Sequence, residues 1–298
     1  MKRNDFRFFH PLRVRWVEVD MQKIVFNAHY LMYFDTAISD YWRALGMAYE
    51  ESMVLLEGDL YVKKASIEYH GSARFDDRLD VALKCERIGK SSMVFSGAIF
   101  RGESLLISSE LIYVFADPAS QTSKAVPDAF RDLLMRFEAG RKEEPMVSIK
   151  LGSWADLGAD AAQLRTEVFV HEQGVPIESE WDEADAAALH AVAYNGLGHP
   201  VGCGRLLSST GDTQLPGAAG NTGKIGRMAV KRVLRGTRIG RELLQALVRA
   251  AKARGDHEIV LHAQCSAESF YSAAGFTARG GPFEEVDIPH VEMFKRLA

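Results

Sequence analysis

The segment from residue 224 to residue 254 places the strongest constraint on how this chain can fold. It starts with a short, mostly apolar run, KIGRMAV, which is typical of a strand. A turn rich in Gly and Arg follows, and apolar residues then recur at helical spacing until Gly255. Such a strand, turn and helix N-terminus direct free backbone N–H groups and the positive end of the helix dipole at one point. The segment therefore predicts a pyrophosphate-binding site.

The turn reads RGTRIG from Arg235 to Gly240. It resembles the acetyl-CoA-binding motif of the GNAT N-acetyltransferases, Arg/Gln-x-x-Gly-x-Gly/Ala, except that Arg238 replaces the middle Gly. A basic Gly turn before a helix is also common as an ordinary surface turn, so the rest of this half has to decide. The resemblance implies that acetyl-CoA binds here as a substrate. The binding residues that it implies in the turn are Arg235, Gly236, Thr237, Arg238, Ile239 and Gly240.

Further motifs in the C-terminal half resemble the same family, in the family's order. AVAYNGLGHPVGCGRLL is similar to its central hairpin, KIGRMAV to the strand before its CoA turn, and SAESFYSAAGF to its late helix. RTEVFVHEQGV and EVDIPHVEM are similar to the ElaA-like subgroup. The resemblance covers residues 147–298. It implies a mixed-sheet acetyltransferase domain that transfers an acetyl group from acetyl-CoA to an amine.

Transfer to an amine needs a polarised thioester carbonyl, a neutral amine and a proton for the departing thiolate. The resemblance assigns the first task to the backbone N–H groups of Met228, Ala229 and Val230, at the end of the strand. It also places Tyr271 in the family's general-acid position, although an ordinary core tyrosine fits the same pattern.

The group that takes the proton of the amine stays open. Glu172, His190 and His262 are candidates, and the sequence favours none of them. His290 follows a proline, and it either lines the acceptor pocket or lies in a surface loop.

The N-terminal half is predicted to hold one buried helix among several strands. Alternating side chains at 12–20 predict a half-buried strand, and further strands are predicted at 65–73, 78–88, 92–101 and 104–116. Residues 30–45 predict a helix whose apolar face consists of Leu31, Phe34, Ile38, Tyr41, Trp42 and Leu45. This order favours a curved antiparallel sheet wrapped around the helix.

The run VEVDMQKIVFNAHYLMYFDTAISDYWRALGM resembles the hotdog-fold acyl-CoA thioesterases, in particular the 4-hydroxybenzoyl-CoA thioesterase group. The resemblance covers nearly all of residues 8–135. It implies that Asp20 is the catalytic carboxylate and that the backbone N–H of Asn27, at the helix N-terminus, polarises the thioester carbonyl. Lys23 stands where the family usually has Gly, and His29 stands where it commonly has Asn.

Asp20 fits more than one role. Thioester hydrolysis needs either a carboxylate nucleophile or a base that activates water, and Asp20 could serve as either. In a reading without catalysis, the same residue caps a helix or closes a turn. The sequence does not separate these roles.

Composition excludes several other classes of protein. The formal net charge of -4 leaves no basic footprint for nucleic acid. No apolar run approaches the roughly 20 residues that span a bilayer, and the N-terminus lacks an apolar signal core. We therefore expect a cytoplasmic protein with no membrane partner. The three cysteines lack metal-ligand spacing, and we expect no metal cofactor.

These observations together predict an α+β protein. A hotdog domain at 1–140 precedes a charged linker at 141–146 and a GNAT domain at 147–298. The first hypothesis is a bifunctional enzyme that hydrolyses an acyl-CoA thioester and transfers acetyl from acetyl-CoA to an amine. In the alternative, the hotdog half is a non-catalytic module that dimerises the acetyltransferase or senses acyl-CoA. The hotdog resemblance implies a homodimer or homotetramer through that half.

Overall fold

The computed structural model describes residues 1–140, 146–208 and 221–297. The chain divides into two compact units, Met1–Met146 and Val147–Ala298. Of the linker predicted at 141–146, all but Met146 lies outside the described residues. Each unit has its own sheet and its own buried core.

The N-terminal unit is a five-stranded antiparallel sheet packed against one long helix. Its helices are α1 (His29–Ala44), α2 (Tyr49–Leu55) and α3 (Asp128–Ala139). Its strands are β1 (Phe8–Arg13), β2 (Asp59–Tyr69), β3 (Arg78–Ile88), β4 (Ser92–Arg101) and β5 (Ser104–Ala116), in the order β1-β3-β4-β5-β2. A Cβ on Gly97 of β4 would lie 2.5 Å from the ring of Phe34, so the helix contacts the sheet directly.

The helix α1 was predicted correctly in extent but not in its full buried face. Its buried residues are Tyr30, Tyr33, Phe34, Ala37, Ile38, Tyr41 and Trp42. Leu31, which was predicted to face inward, is 42% exposed. Its neighbour Tyr30 takes the inward position instead, because its hydroxyl accepts a hydrogen bond from the N–H of Ala73.

The strand predicted at 12–20 is wrong beyond Arg13. β1 ends there, and Trp16–Glu18 form a turn of 3₁₀ helix. The alternation misleads because Glu18, a charged residue, is the buried one: it accepts hydrogen bonds from the backbone and side chain of Arg15 and from the hydroxyl of Tyr33. β2 also starts at Asp59 rather than at residue 65.

The C-terminal unit is a seven-stranded mixed sheet with helices on both faces. Its strands are β6 (Val147–Gly152), β7 (Leu189–Asn195), β8 (Pro200–Ser208), β9 (Thr222–Val230), β10 (Glu258–Gln264), β11 (Thr277–Glu285) and β12 (Ile288–Arg296), in the order β11-β12-β10-β9-β8-β7-β6. Its helices are α4 (Trp154–Arg165), α5 (Ile177–Glu180), α6 (Ile239–Arg254) and α7 (Glu268–Ala273). The β9–β10 pair is parallel, and the other pairs are antiparallel.

Two apolar clusters cover the two faces of this sheet. Leu243, Leu244 and Leu247 of α6 belong to one of them, and Leu157 and Leu164 of α4 belong to the other. The helix α4 ends at Arg165, and Thr166–Glu172 continue as a π-helical segment. The α+β class is confirmed, with an antiparallel sheet on a long helix followed by a mixed sheet.

Candidate functional sites

The strands β9 and β10 separate toward their carboxyl ends. They pair at Thr222, Gly223 and Lys224 of β9, although β9 continues to Val230 and β10 to Gln264. In the part of the chain that the structure describes, no strand pairs with this edge of β9 beyond Lys224. A gap between two parallel strands exposes backbone donors to a ligand. The three predicted carbonyl-binding residues, Met228, Ala229 and Val230, lie along it.

A β-bulge distorts β9 beside this gap. Cys203 pairs with Ala229 and Arg205 with Gly226, so two residues of β9 lie opposite Gly204 of β8. One of the two, Arg227, has a φ of +52°. A Cβ on Gly204 would lie 2.5 Å from the sulfur of Met228, so any larger residue here would have to displace that side chain. Bulges are frequent beside active sites, where they redirect side chains and end pairing.

The predicted phosphate turn leads directly into α6. Gly236 has a φ of +79°, which favours Gly, and the hydroxyl of Thr237 donates to the carbonyl of Leu234 at 2.6 Å. Arg238 is the N-cap residue with φ -80° and ψ -8°, so Arg in place of the motif's Gly causes no strain. Within the described ranges, the backbone N–H groups of Gly236, Thr237, Arg238 and Gly240 have no protein acceptor. They are available to an anion.

The side chain of Arg235 is already engaged. Its two Nη atoms donate to the two carboxylate oxygens of Glu172 at 2.6 and 2.7 Å, and its Nε donates to the carbonyl of Val230. A phosphate that used Arg235 would therefore compete with Glu172, whereas the backbone N–H groups of the turn need no such exchange.

A cavity of about 410 Å³ opens beside the bulge, and Met228, Tyr271, His262, Glu285 and His290 are among its lining residues. Tyr271 is 8% exposed, and its burial raises the pKa of the phenol to about 12. In the described residues its hydroxyl has no hydrogen-bond partner. A phenol that stays protonated and uncommitted can donate a proton to a bound ligand.

The loop that carries Asp20 in the N-terminal unit is a tight turn. The N–H of Asp20 donates to the carbonyl of Ile24, and the N–H of Lys23 donates to the carbonyl of Asp20, both at 2.9 Å. One carboxylate oxygen of Asp20 accepts from the N–H of Gln22 at 2.8 Å. Lys23 has a φ of +60°, the conformation in which Gly costs nothing. Asp20 therefore retains a closed turn despite the Lys.

The same loop is held against the start of α1. A β-bridge joins Val19 to Val25, and the N–H of Phe26 donates to the carbonyl of Glu18 at 2.9 Å. α1 begins at His29 with no side-chain cap. In the described residues, the backbone N–H groups of Asn27 and Ala28 have no acceptor, so the predicted carbonyl donor is unoccupied.

Comparison with known proteins identifies both units. A model of the GNAT acetyltransferase domain matches residues 157–297. The uncharacterized N-acetyltransferase YjcF of Bacillus subtilis is 36% identical over 137 residues, which are 46% of this chain and 90% of that protein. Through its C-terminal unit, the chain belongs to the GNAT family.

The N-terminal unit carries a thioesterase-superfamily domain, whose model matches residues 22–108 and begins two residues after Asp20. The acyl-CoA thioester hydrolase YbgC of Escherichia coli is 26% identical over 125 residues, which are 42% of this chain and 92% of that protein. The crystal structure of a 1,4-dihydroxy-2-naphthoyl-CoA thioesterase from Synechocystis is 17% identical, covers 45% of this chain and 98% of its own, and has a TM-score of 0.41. The chain thus joins a thioesterase domain to a GNAT domain.

The three base candidates of the GNAT unit have different surroundings. Glu172 is paired with Arg235. His190 is 1% exposed, and its Nε2 lies 2.9 Å from the carbonyl of Asp185, away from the cavity lining. His262 lines the cavity, and its Nδ1 lies 3.0 Å from a carboxylate oxygen of Glu285.

Sequence reasoning missed a buried ionic network on one wall of the GNAT cavity. Arg165 is 1% exposed and donates to the side chains of Glu180 and Asp185, and Arg205 donates to Asp182 and Asp185. Burial opposes ionisation of Asp185, but the hydrogen bonds from Arg165 and Arg205 outweigh it and lower its pKa. The only signal in the sequence was an Arg on the apolar face of α4.

In the thioesterase unit the missed residue is Glu18. It is 3% exposed, and its carboxylate binds Arg15 and Tyr33. Burial works against the charge, but hydrogen bonds from Arg15 and Tyr33 lower its pKa. Glu18 therefore anchors the segment that leads into Asp20.

Two features are absent from the described ranges, residues 1–140, 146–208 and 221–297. No group of three or more His, Cys, Asp and Glu side chains there is arranged to hold a metal ion. None of the helices there combines the length and the apolarity needed to cross a bilayer.

Proposed function

We propose that the protein is a bifunctional CoA-thioester enzyme. The observation that carries this proposal is common to both units. Among the described residues, each unit has backbone N–H groups without a protein acceptor, at the turn before α6 in one unit and at the start of α1 in the other, and these groups would hold the thioester or its carrier.

In the GNAT unit, acetyl-CoA would bind in the gap between β9 and β10. The N–H groups of the turn before α6 would hold the pyrophosphate, and those of residues 228–230 would polarise the acetyl carbonyl. An amine then attacks the carbonyl carbon, the C–S bond breaks, and Tyr271 donates a proton to the departing thiolate. The position of Tyr271 in the cavity lining supports this role, because its hydroxyl is protonated at neutral pH and has no hydrogen-bond partner among the described residues.

In the thioesterase unit, an acyl-CoA would place its carbonyl oxygen at the N–H of Asn27. Asp20 would take a proton from the attacking water, or would itself attack the carbonyl carbon to form an anhydride that water then hydrolyses. In both cases the C–S bond breaks, the CoA thiolate leaves and takes a proton from water, and the free acid is released. The turn at 20–24 and the Val19–Val25 bridge support this proposal, because they hold the loop that carries Asp20 against the segment that leads into α1.

The test separates the two reactions in the full-length chain. Thiol release from a series of acyl-CoAs reports hydrolysis, and acetyl transfer from acetyl-CoA to a panel of amines reports the second reaction. We expect Asp20→Asn to abolish the first and spare the second, and Tyr271→Phe to do the reverse. Unchanged hydrolysis in Asp20→Asn removes Asp20 from the mechanism.

The second candidate function makes the thioesterase unit a dimerisation or acyl-CoA-sensing module. The position of β2 favours it: this strand is at the edge of the sheet, and Tyr61 and Val62 are exposed on it. Unpaired edges of this kind are templates for pairing with another chain. Sedimentation tests for a homodimer or homotetramer. Tight acyl-CoA binding without turnover in calorimetry would favour the sensor.

A further inference from the structure

We propose that His262, oriented by Glu285, removes the proton from the acceptor amine in the GNAT unit. The proposal rests on the acetyl transfer proposed above and identifies the base of that reaction. His262 lies on β10 between Leu261 and Ala263, which are buried in the cluster beside α6. Side chains alternate along a strand, so His262 extends from the opposite face, where the cavity lies.

The contact with Glu285 determines which nitrogen of the imidazole ring carries the hydrogen. A carboxylate oxygen can only accept, so Nδ1 of His262 carries the hydrogen in this 3.0 Å contact. In the neutral ring, Nε2 then has the lone pair. No donor or acceptor among the described residues bonds to Nε2. The ring is therefore fixed with its basic nitrogen free, as a general base requires.

The hairpin between β11 and β12 holds Glu285 in position. Glu285 pairs with Ile288 across a two-residue turn made of Val286 and Asp287, with φ values of +51° and +57°. Val is strained at such a φ. Phe283 on the same strand packs its ring edge-on against His262, with the ring centres 4.9 Å apart. The turn thus holds the carboxylate of Glu285 in place, and the ring of Phe283 holds the imidazole of His262.

Three other charged or titratable groups lie near His262, and none of them is in hydrogen-bond contact with its ring among the described residues. Glu292 of β12 lies opposite it in the strand register and is paired with Arg279. His290 of β12 has its Nδ1 2.8 Å from the carbonyl of Ile288, and Lys224 of β9 also lines the cavity. Glu285 is thus the carboxylate in direct contact with the ring.

Nε2 of His262 takes a proton from the acceptor nitrogen, whose lone pair forms the C–N bond to the acetyl carbon. The C–S bond breaks, and the sulfur leaves with the electron pair and accepts a proton from Tyr271. His262 ends protonated, with its charge stabilised by Glu285, and returns the proton to water.

The experiment uses the full-length chain with Asp20→Ala, so that thioester hydrolysis does not consume acetyl-CoA. His262→Asn keeps a donor for Glu285 and removes the basic nitrogen. We expect kcat to fall about 100-fold or more, with KM for acetyl-CoA within threefold. His257→Asn, an exposed His just before β10, should have no effect. Added imidazole should restore part of the activity of His262→Ala but not of Tyr271→Phe.

The outcomes distinguish a failure of His262 as the base from a failure of the proposed transferase function. If the parent chain acetylates an amine and His262→Asn does so equally well, the base is another group and the proposed transferase function stands. If the parent chain acetylates none of the amines, that function fails, and reaction with diethyl pyrocarbonate decides on the pair. Peptide mapping should then show His262 acylated several-fold more slowly in Glu285→Gln. An equal rate overturns the proposal.

Discussion

Arg235 and Glu172 form a bidentate ion pair at the turn that precedes α6, with N–O distances of 2.6 and 2.7 Å. Arg235 is the first residue of the turn that we propose to bind CoA, and Glu172 ends the π-helical segment. The pair joins these two segments. An anion that binds the guanidinium of Arg235 has to compete with Glu172.

This pair predicts that Glu172 weakens CoA binding. Glu172→Gln removes the competing charge, and we expect the Kd for CoA to fall about 3- to 10-fold, or about 1 kcal/mol. Calorimetry at low salt measures it. In a chain that also carries Arg235→Met, the same change should have a smaller effect. An equal fall in the Kd for CoA in both backgrounds would show that Glu172 acts on CoA binding only through its charge and that its pair with Arg235 has no effect on binding.

The bulge in β9 predicts an unequal response from two glycines. Gly204→Ala would place a Cβ 2.5 Å from the sulfur of Met228, and we expect a loss of about 1–3 kcal/mol in stability and a higher KM for acetyl-CoA. Gly226→Ala is the matched control, because nothing lies within 4 Å of its Cβ. Urea unfolding and initial rates measure both variants. Similar losses in the two would contradict the role assigned to the Gly204–Met228 contact.

Structural features that depend on neighbouring residues could be predicted from the sequence, but features that depend on the register between strands could not. The turn at 235–240 and α6 follow from Gly placement and helical periodicity, which neighbouring residues set. The separation of β9 from β10, and the bulge at Arg227, depend on pairing between distant segments. β11 was missed because TARGGPFEE contains two adjacent glycines and no apolar alternation.

Side-chain partners at the site were equally inaccessible from sequence. Glu18 falls in a run that alternates like a strand, and its burial depends on Tyr33, fifteen residues later. His262 differs from the other base candidates, Glu172 and His190, in its contact with Glu285, which lies 23 residues away in the sequence. Each of these choices is made by tertiary packing, which overrides local pattern.

The two aspartates of the buried ionic network predict acid sensitivity of the GNAT unit. Asp182 and Asp185 have lowered pKa values, so they hold fewer protons when folded than when unfolded in acid. Their contribution to stability is present above the unfolded pKa near 4, and it is lost as pH falls through the lower folded values. Pulse proteolysis in urea from pH 6 to pH 2, with fragment mapping, should show this loss.

Asp185→Asn provides the variant for that measurement. It leaves Arg165 and Arg205 buried with a weaker partner, so we expect a cost of about 3–5 kcal/mol at pH 7 and a flatter dependence of stability on pH below 4. Asp160→Asn, in the same unit, is the control, since Asp160 accepts from Tyr194 but lies outside the network. An acid dependence unchanged in Asp185→Asn would assign the sensitivity to other carboxylates.

Lys23 closes the turn that carries Asp20 with a φ of +60°, a conformation that strains a residue other than Gly. Lys23→Gly relieves that strain but adds freedom to the unfolded chain, so we expect a change below about 1 kcal/mol and unchanged thiol release. Lys23→Val should cost about 1–2 kcal/mol, because a β-branched residue is most strained at this φ. It should also lower kcat for hydrolysis by displacing the carboxylate. Thiol release by Lys23→Val at the rate of Lys23→Gly would mean that this turn does not position Asp20.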